Sequence, residues 1–435
     1  MLALARPSGT VAGASRVDAH RQSIYGFVEG GIEHTVLIQG ACESTVERCR
    51  SLPYVFVPID GSSVAVTDNA KNKGTGRVGS PPAQGSGLKL MAAIVLSPKS
   101  TTVGLGALTF WTRGAPRTVE ARRLPIEMRE SYKWIEIVHE VQDRFQEMAP
   151  GCRPWFQLDR EADFAEMLIL ASTESVLLTV RTSCDRRLPG GIRLQQHMMK
   201  IRPLGHYTMK VPARDGRAAR TARIVVRACR VQLDVHVQPS NKRHTVSLTA
   251  VFAREAGNAR DHHRIEWMLL TTQTVDSFEA ARLVIHGYTR RWSIEEFFRV
   301  WKSGVCDVES MQLRSFGALA RWATILAVAA TRAIYLTQVA REKPDAPATE
   351  AFSEADLEAL VVLRKPKDIE LGDPITIKQA VRWVADLGGY VGNNRSGAPG
   401  KITIGRGLLD LEVAVLAIAA YKKSSARREK RSRKS

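Results

Sequence analysis

Four side chains that can bind metal or phosphate lie between Tyr288 and Lys302. The stretch reads Y-T-R-R-W-S-I-E-E-F-F-R-V-W-K, and the four are Tyr288, Arg291, Glu295 and Lys302. On a helix, which turns by about 100° per residue, they fall within an arc of roughly 60°. A carboxylate can hold a divalent metal ion, and the three flanking donors can hold phosphate oxygens. The alternative is a solvated helix face with surface ion pairs.

Two aspartates follow short apolar runs and add carboxylates to this set. The β-branched and aromatic run Tyr54–Ile59 stops at the turn-forming sequence D-G-S-S, which begins with Asp60. This pattern predicts a strand that delivers an acid to a turn. The apolar run Trp155–Leu158 likewise ends in Asp159, where the sequence D-R-E-A-D opens a helix to about residue 171.

The elements between these aspartates predict how the acids are positioned. Two strands, Leu88–Leu96 and Thr102–Trp111, and a helix near Ser131–Met148 separate the two acidic runs. Three strands, a helix, a strand and a helix are the order of an RNase H-like core, in which the first and fourth strands are neighbours. We therefore expect Asp60 and Asp159 to meet at one sheet edge, where α/β folds place their chemistry. An α/β fold with an RNase H-like catalytic core is predicted.

Charge points to a polyanionic partner. The 435-residue chain carries 63 Lys and Arg against 44 Asp and Glu, a formal net charge of +19. Between Arg181 and Arg230 there are thirteen basic residues and two acids, on sequence that alternates with the period of antiparallel strands. We interpret this region as a β-rich insertion in the core that binds DNA, the commonest polyanion.

The spacing of the cysteines and the hydropathy of the chain argue against a zinc-binding protein and a membrane-spanning protein. The six cysteines form no C-x-x-C pair and no zinc-ligand spacing, as is usual for reduced thiols of a cytoplasmic protein. The most apolar stretch, Trp322–Leu336, contains Arg332 and is too short to span a bilayer. It predicts a buried helix, and we expect no membrane partner.

Two strand-end aspartates and a helical glutamate can together hold two Mg²⁺ ions about 4 Å apart, with Mn²⁺ as a substitute. Such a pair of ions can activate water or a 3′-hydroxyl and stabilise the leaving 3′-oxygen. The residues therefore predict phosphodiester chemistry by in-line displacement.

The motifs resemble those of bacterial DDE transposases of the insertion-sequence-four family. The family signature is matched by Tyr288-x2-Arg291-x3-Glu295-x6-Lys302, and the D-R-E-A-D block by residues 159–163. Further likeness lies in W-M-L-L-T-T, T-V-R-T-S and the C-terminal L-G-G-Y and R-S-G. The resemblance covers roughly residues 20–420.

The resemblance implies a role for each matched residue. Those implied to bind the catalytic metal ions are Asp60, Asp159 and Glu295. Those implied to contact DNA are Tyr288, Arg291, Lys302, Trp267, Arg181 and Arg299. Trp267 would stack on a flipped base, and its alternative is a buried strand aromatic. For Arg299 the alternative is a surface arginine.

The implied activity is cut-and-paste transposition through a hairpin intermediate, by a homodimer that bridges two transposon ends on double-stranded DNA near the bacterial nucleoid. Two alternatives stay open at this point. One is an inactive or truncated DNA-binding remnant that inhibits transposition, and the other is a related nuclease without strand transfer.

The predicted organisation has six parts. They are a partial, truncated end-recognition region (1–52), the first part of the core (53–174), the β insertion (175–272), the second part of the core with the glutamate helix (273–345), a helical dimerisation region (346–421) and a basic disordered tail (422–435).

Overall fold

The structure is a computed structural model. It describes residues 10–14, 18–69, 71–79, 85–113, 120, 123–213, 218–257, 264–366, 368–392, 398–408, 410–412, 414, 415, 418 and 422. The predicted basic tail lies outside the described residues, apart from residue 422.

Helices begin and end the described chain, and most strands lie between them in consecutive runs. The helices are α1 Val11–Ala14, α2 Asp18–Val28, α3 His34–Glu47, α4 Tyr132–Met148, α5 Ala165–Thr173, α6 Leu194–Lys200, α7 Phe278–Thr289, α8 Trp292–Lys302, α9 Phe316–Glu342, α10 Glu354–Arg364 and α11 Ile377–Leu387. The strands are β1 Tyr54–Ala65, β2 Gly76–Val78, β3 Gly85–Leu96, β4 Thr102–Trp111, β5 Arg153–Leu158, β6 Leu177–Arg181, β7 Gly205–Val211, β8 Arg220–Val237, β9 Lys242–Glu255 and β10 Glu266–Thr271.

The ten strands form one sheet in the order β2-β3-β1-β5-β6-β10-β9-β8-β7, and β4 pairs with β3. Strands β1, β5 and β6 run parallel to one another. Both flanks of this parallel centre are antiparallel, with β3 beside β1 and β10 beside β6. The fold is thus mixed α/β with a large sheet, followed by a helical C-terminal region.

Helices cover both faces of the central strands. Val55 and Val57 of β1 join an apolar cluster with α4 and α5, whereas Phe56 points to a cluster with α7, α8 and α9. Since both faces are buried, the strand reads as an unbroken apolar run. The end of α9 packs with α10 and α11 in a third cluster, which includes Leu336 and Val384.

Strand β1 does not end at Asp60, contrary to the sequence prediction. It continues to Ala65, and β3 pairs with it through this part, joining Asp60 to Ala92 and Ser63 to Lys89. The parallel pairing with β5 ends at Pro58, two residues before the aspartate. Pairing with a distant strand therefore overrides the local turn preference of the D-G-S-S sequence.

The antiparallel strands of the predicted insertion extend the central sheet and do not form a sheet of their own. Strand β6 lies inside the predicted range 175–272, yet it pairs in parallel with β5. Strands β7 to β10 then add to the same sheet beyond β6. The domain boundaries drawn from the sequence stay predictions.

The apolar stretch near residue 330 forms the long helix α9. By length and composition alone, Phe316–Glu342 could cross a membrane, but most of its apolar window is buried inside the protein. The buried Arg321 on this helix donates hydrogen bonds of 2.6 Å and 2.7 Å to the carbonyl oxygens of Val28 and Ile32. The predicted buried helix is confirmed, although it is longer than the stretch predicted.

Candidate active site

Asp60 and Asp159 lie on neighbouring parallel strands. The pairing of β1 with β5 joins Pro58 to Gln157, and the same offset two residues further on places Asp60 level with Asp159. One oxygen of Asp60 accepts a hydrogen bond of 2.8 Å from the next backbone N–H. Asp159 accepts one of 2.7 Å from the N–H of Glu161 and thereby caps a short 3₁₀ turn. The topology thus brings the two predicted acids together.

The stretch predicted as one helix is divided into α7 and α8 by a turn at Arg290 and Arg291. The N–H of Arg291 bonds to the carbonyl oxygen of Tyr288 at 3.0 Å, three residues back and not four, as in a 3₁₀ helix. Tyr288 therefore projects from α7, and Glu295 projects from the first turn of α8. The predicted arc on a single helix is wrong for these residues.

The side chain of Arg291 joins two of the predicted metal ligands. Its Nη1 lies 3.3 Å from Oδ2 of Asp60, and its Nη2 lies 2.6 Å from Oε1 of Glu295. The arginine side chain is 10% exposed, whereas that of Glu295 is 47% exposed. Within the described residues, the buried Nε of Arg291 has no hydrogen-bond partner. The guanidinium thus connects β1 to α8 across the candidate site.

Negative charge accumulates around Asp60. Burial, and then the charge of Asp159, raises the pKa of Asp60 from 3.8 to about 7. The positive charge of Arg291 and the hydrogen bond from the backbone oppose this increase without cancelling it. Burial and the neighbouring carboxylate together outweigh Arg291, so the pKa of Asp60 stays raised.

The donor set suits a divalent metal ion. Asp60, Asp159 and Glu295 offer the hard carboxylate oxygens that Mg²⁺ and Mn²⁺ prefer. Arg291 already occupies oxygens of two of them, as a bound cation would. In the described part of the chain, no three His, Cys, Asp or Glu side chains are close enough together to hold a metal ion in this arrangement. A metal ion at these carboxylates would take the place that the guanidinium of Arg291 has between Asp60 and Glu295.

Two tryptophans flank the turn between α7 and α8. Trp267 of β10 is half-buried and meets the ring of Tyr288 edge to face at 6.2 Å. Trp292, the first residue of α8, is 54% exposed. Trp292 was not among the residues predicted from the sequence, although its place one helical turn before Glu295 was an available signal. An exposed indole face can stack on a nucleic-acid base.

The other two basic residues of α8 differ in their surroundings. Burial lowers the pKa of Lys302, the charge of Glu309 opposes this, and the charge of Lys89 on β3 adds to it. Arg299 is 73% exposed and lies 3.7 Å from Glu296, one turn before it. Its surroundings are those of the alternative, a surface arginine.

Arg181 lies beside a small polar cleft at the end of β5 and β6. Its Nη2 donates a hydrogen bond of 3.2 Å to the carbonyl oxygen of Glu266. The cleft has a volume of about 180 Å³ and is lined by Arg160, Arg181, Thr182, Ser183, Cys184, Asp185, Gln195, Glu266 and Met268. The cleft carries charges of both signs next to Asp159.

The last residue of the D-R-E-A-D block has a structural role. Asp163 is buried and lies 2.6 Å from Nη2 of Arg186. It also accepts hydrogen bonds from the N–H and the hydroxyl of Ser183, at 2.6 Å and 2.9 Å. Asp163 therefore fastens the segment that follows β6, whereas Asp159 acts electrostatically on Asp60.

Comparison with known proteins points to one class. A family model described as a transposase DDE domain matches residues 182–332, roughly a third of the chain. This segment contains Arg291 and Glu295, and it does not reach Asp60 or Asp159. The match supports a DDE transposase.

The fold was also compared with solved structures. The chain is similar to a piggyBac transposase in a cryo-EM structure of its synaptic complex with hairpin DNA, with 10% identity and a TM-score of 0.34. The likeness covers 68% of this chain and 50% of that chain, so this chain spans about half of the solved one. A likeness this small carries no conclusion about fold or function.

Proposed function

We propose that the protein is a DNA transposase that cuts and joins phosphodiester bonds at Asp60, Asp159 and Glu295. The proposal is supported by the placement of these acids: two follow adjacent parallel strands, and the third is joined to Asp60 through Arg291. The transposase DDE domain matched by residues 182–332 supports the same activity. The net charge of +19 suits a DNA substrate.

An RNase H-like core is part of the proposal. Apart from the three-residue β2, strands β1 and β5 are the first and fourth along the chain, and they are neighbours in the sheet. β1 is antiparallel to β3 and parallel to β5. Membership of the insertion-sequence-four family is a finer proposal, which rests on the spacing of the signature from Tyr288 to Lys302.

The three acids would hold two divalent ions, Mg²⁺ with Mn²⁺ as a substitute. When bound, these ions would supply an activated water or 3′-hydroxyl and neutralise charge on the leaving oxygen. The residues around them would position the DNA. Arg291 has the planar donors that bind a phosphate through two hydrogen bonds, and Lys302 would bind a second phosphate along α8.

The proposed reaction is cut-and-paste transposition. Water would nick the end of the element, and the freed 3′-hydroxyl would attack the opposite strand to give a hairpin. Water would reopen the hairpin, and the 3′-hydroxyl would then join target DNA. Trp267 would support the flipped base of the hairpin, and a homodimer in the bacterial cytoplasm would bring two ends together.

Excision of the element tests the proposal. A plasmid that carries the gene with its native flanking DNA is compared in cells with the same plasmid encoding Glu295→Gln. The variant should lose excision by at least about a hundredfold, because the amide cannot replace an anionic metal ligand. The matched control is Glu296→Gln, which removes a charge from the neighbouring residue, an ion-pair partner of Lys401.

Equal excision by Glu295→Gln and the unchanged protein would overturn the proposal. The DNA products of cleavage distinguish a transposase from the two alternative functions. Hairpin-ended DNA is expected of the transposase, whereas a related nuclease would leave only open ends. An inactive DNA-binding remnant would give no excision with any variant, and the converging carboxylates favour an enzyme over that alternative.

A further inference from the structure

We propose that Arg291 is the counter-ion of the metal-free site and competes with the divalent metal for the same carboxylates. Metal loading then requires the guanidinium to leave Asp60 and Glu295, and a DNA phosphate is the group that receives it. This inference deepens the proposed function and rests on it. It makes Arg291 a positioning residue that links metal binding to DNA binding.

The contacts of Arg291 place it where a metal would have to bind. Its two Nη atoms contact Oδ2 of Asp60 at 3.3 Å and Oε1 of Glu295 at 2.6 Å. Each of these bonds uses a carboxylate oxygen that a metal ion would otherwise coordinate, and the positive charge of the guanidinium repels a second cation beside it. Because the two acids belong to different elements, β1 and α8, the guanidinium also sets the distance between them.

The charges around the site explain why the guanidinium stays there in the absence of metal. The negative charges of Asp159 and Glu161 act on Asp60 and favour a cation beside it. Among the described residues, Arg291 is the single cation in ion-pair contact with Asp60 or Glu295. Its withdrawal without a replacement would leave partly buried carboxylates unpaired, which is unfavourable.

The side chain of Arg291 is also suited to leaving these two carboxylates. Its Nε is buried and has no hydrogen-bond partner among the residues that the structure describes, so this arrangement does not satisfy all its donors. A planar guanidinium binds phosphate oxygens through two parallel hydrogen bonds. It lies in the turn between α7 and α8, beside the exposed Trp292, so a bound strand would pass near it.

If Arg291 and the metal ion compete for the same carboxylates, the binding of metal and the binding of DNA favour each other. Metal binding in free protein must separate two ion pairs, whereas metal binding in the DNA complex finds the guanidinium already on a phosphate. By linkage, DNA should then tighten metal binding by the same factor by which metal tightens DNA binding. The site would thus hold its metal firmly only when DNA is present.

The test measures the binding of Mn²⁺ alone to the full-length, DNA-free protein, by the loss of the free-ion signal in electron paramagnetic resonance. Arg291→Gln should bind Mn²⁺ at least about tenfold more tightly than the unchanged protein. A unit charge about 5 Å from a divalent ion weakens its binding by about this factor even in water. Arg299→Gln removes the same charge from the exposed side of α8 and should change the affinity by less than about twofold.

Arg291→Lys is the second variant, for use if the glutamine variant does not fold. Lysine keeps the charge, but it has one nitrogen where arginine uses two separate nitrogens to contact Asp60 and Glu295. Its Mn²⁺ affinity should lie above that of the unchanged protein and below that expected for glutamine.

Unchanged or weaker Mn²⁺ binding by the Arg291 variants would overturn the competition. If element excision still depends on Glu295 in that case, the proposed function stands without it. If neither the unchanged protein nor the variants bind Mn²⁺, both the competition and the proposed metal site are wrong.

Discussion

Replacing Asp163 with alanine should destabilise the sheet edge at which the candidate site lies. The side chain of Asp163 is 0% exposed, and its partner Arg186 is 15% exposed. The carboxylate accepts hydrogen bonds from Nε and Nη2 of Arg186 at 3.0 Å and 2.6 Å, and two more from Ser183. Alanine removes all four bonds and leaves a partly buried guanidinium without its counter-ion.

The size of this destabilisation follows from the contacts of Asp163. Breaking a buried ion pair by removing one partner costs about 3–5 kcal/mol. Arg186 keeps its bond of 2.9 Å to the carbonyl oxygen of Asp163 and is reached by some water, so the lower value applies. The two lost bonds from Ser183 add about 1 kcal/mol. Asp163→Ala should therefore lower the free energy of unfolding by about 4 kcal/mol.

Urea unfolding at pH 7, followed by tryptophan fluorescence, measures this loss. The matched control is Glu161→Ala, because Glu161 is an exposed acid of the same D-R-E-A-D block whose backbone N–H, and not its side chain, bonds to Asp159. The control should stay within about 0.5 kcal/mol of the unchanged protein. A loss below about 1 kcal/mol for Asp163→Ala would refute the structural role given to this residue.

Two further predictions concern the site itself. Because the folded protein holds the proton on Asp60 up to about pH 7 and the unfolded chain releases it near 3.8, metal-free protein should lose stability as pH rises between these values. The loss is at most about 4 kcal/mol in total and roughly 2.5 kcal/mol between pH 5 and pH 7.5, and Asp60→Asn should remove it from urea unfolding measured in EDTA at these two pH values. If the stability of Asp60→Asn still falls between these pH values, the pH dependence does not come from Asp60. Trp267→Ala should reduce hairpin formation on end-containing DNA more than the first nick, and Trp267→Phe should restore part of it. If Trp292→Ala alone reduces hairpin formation, the stacking role belongs to Trp292.

The local sequence pattern was sufficient to predict most helices and strands of the core. The predicted strands Leu88–Leu96 and Thr102–Trp111 correspond to β3 and β4, and the predicted helix Ser131–Met148 corresponds to α4. Their apolar residues recur with the period of the element that they form, so neighbours in sequence carry the information. The order of elements along the chain also predicted that the strands before Asp60 and Asp159 are neighbours, as β1 and β5 are.

The sequence could not predict where β1 ends or where the helix before Glu295 breaks. Extension of β1 past Asp60 depends on β3, whose pairing residues lie about thirty positions away. The break at Arg290 and Arg291 depends on backbone bonds that shift from four residues to three. Both outcomes are differences between competing hydrogen-bonding arrangements of similar energy, which a local pattern does not rank.

The sequence by itself determined which chemical groups the protein brings to its site: three carboxylates, a guanidinium, a phenol and an ammonium, at spacings typical of phosphodiester chemistry. Only the tertiary structure decided which of these groups touch. It placed Arg291 between Asp60 and Glu295, assigned Asp163 to the scaffold and left Trp292 exposed. Side-chain type and spacing are properties of the chain, but a charge selects its partner by distance and burial, and both are set by packing between residues far apart in sequence.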